Sequence, residues 1–226
     1  MDPVAFITVE QAACRLGISS RAVTSLAVSG KIDGLKHGNT WLLDARSVER
    51  RGRQNASPGR PLSPHLAWAV LLLASDEPAA DLVAWQPHHL SRARHWLQGH
   101  PLSEFADQLR SRADSECFHG HPSELSRLLD RDDVLRTGVS AAETVRLHGG
   151  PPQVEFYAPA SHRSRIVADH ALDAGSGPIQ ARWVSEKLWP ALADRGDAAP
   201  RAAVLVDLLE NDDPRARREA ARCLSQ

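Results

Sequence analysis

Four apolar residues, Val9, Ala12, Ala13 and Leu16, fall at i, i+3, i+4 and i+7, the spacing of one buried stripe on a helix. Thr8 stands just before them with Gln11 three places on, a reciprocal capping pair, and Gly17 follows as a residue suited to the left-handed conformation that ends helices. Ile18 is expected to pack the turn, and Ser19 to cap a second helix over 20–29 that Gly30 stops. Helical periodicity turns Ala22, Val23, Leu26 and Ala27 of that helix inward and leaves Arg21, Thr24, Ser25 and Val28 outward. Residues 34–43 read as strand, tight turn, strand, with His37-Gly38-Asn39 at the tip. Asp44 then caps a helix from Ala45 to about Arg51.

The pattern breaks over 50–64, RRGRQNASPGRPLSP, where Pro, Gly and polar residues replace any apolar period. This predicts a small domain over 1–50, a linker over 51–63 and a larger domain over 64–226. Beyond the break, 64–74 is apolar nearly all round, as a buried helix is. Helices are also predicted over 78–85, 88–97, 123–129 and 140–147, and another opens at Ser103. Two more end the chain, 201–210 and 214–224, with Asp213 and Pro214 as N-cap and first helical residue of the last. Residues 153–157 and 179–184 alternate apolar and polar, the habit of half-buried strands. The expected fold class is α+β, with a winged helix-turn-helix first and a helix-rich mixed α+β domain after it.

Charge sharpens the division. Residues 1–60 hold nine Lys or Arg against five acids, so a chain of net charge −1 has a basic head and an acidic remainder. A basic head favours polyanionic partners. The longest apolar run, Leu66–Ala74, is far shorter than the roughly 20 residues of a membrane span, and no basic-start leader precedes it. With three scattered cysteines, Cys14, Cys117 and Cys223, the expectation is a cytoplasmic protein with reduced thiols and no membrane partner.

Two short helices across a Gly-containing turn form a helix-turn-helix unit, whose second helix fits the DNA major groove. Helix, turn, helix, hairpin, helix is its winged form. The segment resembles the excisionase-like, MerR-related DNA-binding family, through Thr8, Val9, Ala12, Ala13, Leu16, Gly17, Ile18, Ser19, Val23, Gly30, Ile32, Gly38, Trp41, Leu42 and Leu43. The DNA-contacting candidates are Ser20, Arg21, Thr24 and Ser25 on the second helix. Lys36, His37 and Asn39 in the wing and Arg50, Arg51 and Arg53 after it join them. With one arginine on the recognition helix, a single copy binds weakly, so a useful operator requires a homodimer or repeated sites. The competing reading is a three-helix interaction module that never meets nucleic acid.

The remainder carries no signature of catalysis and none of a cofactor. Cys117, His119 and His121, and separately His88, His89 and His95, gather potential metal ligands, but without the spacing of a closed site. No GxSxG, Walker or GxGxxG element is present. Gly175-Ser176-Gly177 looks like the start of a nucleotidyltransferase site, yet the two closely spaced acids that would hold Mg²⁺ do not follow. The run 128–142, with Thr137-Gly138-Val139-Ser140-Ala141-Ala142, resembles AbiE-type antitoxins of type IV toxin–antitoxin pairs. So does the tail, with Ala199-Pro200, Asp207-Leu208-Leu209 and Asp213-Pro214-Arg215-Ala216. This resemblance implies a DNA-binding repressor of its own operon that counteracts a nucleotidyltransferase-like toxin. Two other functions compete with it. One is a regulator sensing a ligand in a pocket lined by Trp68, Trp85, Trp96, Trp183 and Trp189. The other is a metal-dependent enzyme tethered to DNA, with His119 and His121 as ligands.

Overall fold

A computed structural model describes residues 5–54, 60–75, 85–145, 153–175, 177–193 and 196–225. The fold is mixed α+β, with two sheets. The chain divides into two compact units, Met1–Ala56 with Ala174–Ser176, and Ser57–Asp173 with Gly177–Gln226.

The N-terminal unit runs β1 (Phe6–Thr8), α1 (Val9–Leu16), α2 (Ser20–Val28), β2 (Gly34–His37), β3 (Thr40–Asp44) and α3 (Ala45–Gln54). Both halves of the capping box at α1 are made, since Gln11 N–H donates to Thr8 Oγ1 and Thr8 N–H to Gln11 Oε1. Gly17 closes the helix at φ 64°, where a side chain would be strained. Ile7, Ala12, Val23, Ala27, Ile32, Leu43, Ala45 and Val48 form one core beneath all three helices. Two expectations change here. Strand β1 carries no periodic signal and exists through its pairing with β3, which makes the sheet β1-β3-β2. Ile18, expected to pack the turn, is 38% exposed.

The C-terminal unit begins with α4 (Pro64–Ala74) and α5 (Pro87–Gly99), which pack on each other. Seven successive residues of α4, Leu66–Leu72, are buried, so this helix is enclosed on all sides. Then come α6 (Leu102–Phe105), a 3₁₀ run (Ala106–Arg112), β4 (Asp114–His119), α7 (Pro122–Leu129), β5 (Leu135–Arg136), a second 3₁₀ run (Gly138–Val145), β6 (Val154–Pro159), α8 (Arg163–Asp169), β7 (Asp173–Ala174), β8 (Ile179–Val184), α9 (Pro190–Ala193), α10 (Arg201–Glu210) and α11 (Pro214–Leu224). The sheet order is β5-β6-β8-β4-β7, with β6 and β8 parallel at its centre. Phe118, Val154, Phe156, Ala158, Ile179, Ala181 and Trp183 pack one face against Leu128 of α7 and Ile166 of α8. Tyr157 and Val184, on the other face, join the larger core of α4, α10 and α11.

The alternation that predicted half-buried strands over 153–157 and 179–184 has another origin. Both strands are central and enclosed, and their polar side chains face a buried charge network instead of water. Asp207 of α10, wholly buried, accepts hydrogen bonds from Thr137, from Arg112, and from Tyr157 at 3.0 Å, and Arg182 Nε lies 3.1 Å away. Arg112 also donates to Tyr157 at 2.8 Å and to Glu210 at 2.8 Å. Arg182 donates to Glu155 at 2.9 Å, whose other oxygen accepts from Asn211 at 2.7 Å. Burial alone would lower both arginines, but the surrounding carboxylates outweigh it and hold them well above their ordinary range. Burial pushes the Glu155 carboxyl up, against the pull of Arg182 and with the repulsion of Asp207.

The helix expected over 140–147 is a 3₁₀ run over 138–145, and the one expected from Ser103 is the short α6 with a 3₁₀ continuation. The helix expected over 78–85 lies outside the described residues, apart from its last residue, Trp85. Strands β4, β5 and β7 and helix α8 were not anticipated.

Outside the buried network, Asp133 accepts from Arg131 at 2.7 Å and from Arg165 at 2.5 Å, and His162 Nδ1 lies at 2.8 Å. Partial burial raises its carboxyl, yet these bonds prevail and hold it well below the usual carboxylate range. Asp133 therefore contributes stability above the ordinary carboxylate pKa that is lost as pH falls. Asp133→Asn is expected to lower the unfolding midpoint at neutral pH and to flatten its decline in acid, read by thermal unfolding from neutral pH downward. Asp207→Ala should destabilise the chain by about 3–5 kcal/mol, because it removes the wholly buried carboxylate that Arg112 and Arg182 share and leaves Thr137 and Tyr157 without their acceptor. A change below about 1 kcal/mol in denaturant unfolding would contradict the hub role.

Candidate nucleic-acid interface

Helix α2 forms because Ser19 Oγ accepts the Ala22 N–H at 3.3 Å, while Gly30, at φ 68°, turns the chain away after it. Val23 and Ala27 are buried, and Ala22 and Leu26 half-buried, on the side that meets the core. The opposite side presents Arg21, Thr24, Ser25 and Val28 at i, i+3, i+4 and i+7. Arg21 and Ser25 are exposed. Thr24 is half-buried and its hydroxyl donates to the Ser20 carbonyl at 2.9 Å, which leaves an oxygen able to accept but commits its proton. Ser20 is exposed at the first helical position. No acid lies in the first turn of α2, so nothing there repels an anion.

The hairpin is tighter than expected. His37 pairs with Thr40, so the loop is the two residues Gly38-Asn39, with Gly38 at φ 58°. The pleat then separates the wing candidates. Lys36 pairs with Trp41 and shares a sheet face with Trp41 and Leu43, the face over the helices, whereas His37 lies on the other face with Leu35, Thr40 and Leu42. Lys36, His37 and Asn39 are all exposed, but only Lys36 and the loop residue Asn39 can join a surface on the helix side.

Helix α3 starts where Asp44 Oδ1 accepts the Arg46 N–H at 2.8 Å. Gly52 lies against Leu16, and Arg15 and Glu49 pair at 3.6 Å, so α3 is strapped to α1. Arg50 and Arg51 are half-buried and already engaged with other groups of the chain, whereas Arg21 is exposed. The side chain of Arg53 lies outside the described residues. One exposed residue on this surface was read only as facing outward: Val28 is 71% exposed, the most of any large apolar side chain among the described residues. Its β-branched, apolar character on an otherwise polar stripe was the available signal.

The candidate chemistry of the C-terminal unit disperses. Trp68 and Trp85 belong to one core and Trp183 to the other, while Trp96 and Trp189 pack at the edge of the first. Their indoles are used structurally where partnered, Trp68 donating to the Arg112 carbonyl at 2.8 Å and Trp183 to Glu116 at 2.8 Å. Trp96 borders an open cavity of about 460 Å³, with His95, Gln98, Gly99 and His100. His89 stacks on His65 at a ring separation of 5.3 Å and meets His88, tilted, at 4.0 Å, and its pKa is pushed down by burial and by the neighbouring His88, His65 and Arg92. Cys117 and His119 lie on β4 and His121 caps α7. Among the described residues no group of three His, Cys, Asp or Glu is placed to hold a metal ion. Of Gly175-Ser176-Gly177, Ser176 lies outside the described residues, and Gly177 sits so close to the Phe118 carbonyl that a Cβ would stand 1.9 Å from it. No described helix is long and apolar enough to cross a membrane.

The two patches quoted for the antitoxin resemblance meet in space. Thr137 donates to Asp207, Gly138 leaves room for Glu155, and Ser140 Oγ accepts the Glu155 N–H at 2.8 Å. The chain matches no protein-family model, no curated protein and no solved structure.

Proposed function

We propose that residues 5–54 are a winged helix-turn-helix that binds duplex DNA and that the chain is a transcriptional repressor. One observation carries this reading. A nine-residue helix, fixed at both ends and anchored by Val23 and Ala27, turns Arg21, Ser25 and Val28 to solvent with Thr24 half-buried beside them, and a hairpin presents Lys36 and Asn39 after it. Arginine matches the O6 and N7 acceptors of guanine, and lysine at a hairpin edge suits phosphate. Short side chains at Ser20, Thr24 and Ser25 let the helix axis approach the groove floor. A single arginine gives one copy little affinity, so two copies act together on the operator, as a homodimer or on repeated sites.

The C-terminal unit is read as the antitoxin part of a type IV, AbiE-like pair that counteracts a nucleotidyltransferase-like toxin in the cytoplasm. Its support is that the resemblance residues Thr137, Ser140 and Asp207 belong to one interior network, so the two patches act as one structural element. A ligand-sensing regulator is the second reading, favoured by the cavity beside Trp96. Coexpression with the product of the adjacent gene separates the two. Rescue of growth supports the antitoxin, and a small-molecule shift in operator affinity supports the sensor.

With a duplex covering the promoter of its own gene, Arg21→Ala should weaken binding about tenfold while changing random-sequence binding less. Lys36→Ala should weaken both and reduce the slope of log affinity against log salt by about one. Titrations in which both variants bind as the parent chain does would overturn the DNA reading.

A further inference from the structure

We infer that Val28 reads the 5-methyl group of a thymine at the edge of the half-site, an assignment that rests on the DNA reading of α2. An isopropyl side chain 71% exposed on a folded helix forgoes burial that its neighbours Val23 and Ala27 achieve. Nothing in the folding of the N-terminal unit asks for valine there, since α2 is already capped by Ser19 and stopped at Gly30. Val28 is the last residue of the helix and lies on the same stripe as Arg21 and Ser25. The seven-residue separation from Arg21 corresponds to about 10 Å of helix, or roughly three base-pair steps along a groove. Between these ends stand only Thr24 and Ser25, small enough for the helix to lie along the groove with both ends in reach of base edges.

The chemistry distinguishes the bases. In the major groove the thymine methyl is the apolar feature, while cytosine, adenine and guanine offer donors and acceptors that an isopropyl group leaves unpaired. Valine is also stiff about χ1, so little conformational entropy is lost when it docks. The half-site then has a polar end, a guanine under Arg21, and an apolar end, a thymine under Val28. The same contact would accept 5-methylcytosine in place of thymine, at the loss of no methyl–methyl packing.

The full-length chain is first used to select a preferred duplex from a random library, and each thymine of that duplex is then replaced in turn by uracil, which lacks only the methyl. The expected result is one position at which uracil weakens binding by about threefold to fivefold, the effect of one buried methyl group. In Val28→Ala, which alters an exposed position, the same replacement should change affinity less than about 1.5-fold while the unfolding midpoint stays put. Affinity indifferent to every uracil, or a Val28→Ala chain that discriminates as the parent does, overturns the assignment. So does a change of oligomeric state in Val28→Ala with discrimination intact, which would make Val28 a protein contact. A library that yields no preferred duplex overturns the DNA reading itself, and this assignment with it.

Discussion

The turn between α1 and α2 constrains everything that the N-terminal unit can do. Gly17 ends the first helix in the left-handed region, and two residues later Ser19 opens the next, so α2 has no freedom to rotate about its own axis. Val23 and Ala27 lock the rotation by burial. Which residues face water is thereby decided by helical geometry. Arg21, Thr24, Ser25 and Val28 form a surface because the chain has no other way to bury the opposite side. The hairpin follows the same logic: with His37 paired to Thr40, the pleat alone sends Lys36 to one face and His37 to the other.

The C-terminal unit answers to a different constraint. Its central strands bring Glu155, Tyr157 and Arg182 into the interior, where each must find partners or be expelled. Asp207 and Glu210 from α10, Arg112 from the 3₁₀ run and Thr137 from the strand–helix junction supply them. These groups come from segments far apart in sequence, and they satisfy one another where α10 meets the sheet. The network therefore specifies the packing of α10 on the sheet more strictly than apolar contacts would. Two segments distant in sequence, 137–140 and 207–211, thereby supply parts of one buried assembly.

What was legible in the sequence follows from the range of the interactions involved. Caps and stripes are local, so α1, α2, α4, α10 and α11 were read to within a residue or two, and the outward set on α2 was read from the period alone. Strand β1 was invisible because three residues hold no period and their pairing with Thr40–Asp44 is non-local. Strand β4, largely exposed and rich in Asp, Ser, Glu and His, lacked an apolar alternation to detect. For β6 and β8 the alternation was real but its meaning was inverted: Glu155 and Arg182 looked solvent-facing, and only distant partners, such as Asn211, 56 residues from Glu155, reveal them as buried. Among the interface candidates, the half-burial of Arg50 and Arg51 depends on how α3 packs on α1, which no local pattern records.

The most direct test of the account follows backbone amide resonances of the isotope-labelled full chain as a short random-sequence duplex is added at low salt. The account requires shifts centred on Ser20, Arg21, Ser25 and Val28 and on Lys36 to Asn39, fading as salt is raised, with the buried α4 resonances unmoved. Perturbations confined to the C-terminal unit, or none at any salt concentration, would contradict it.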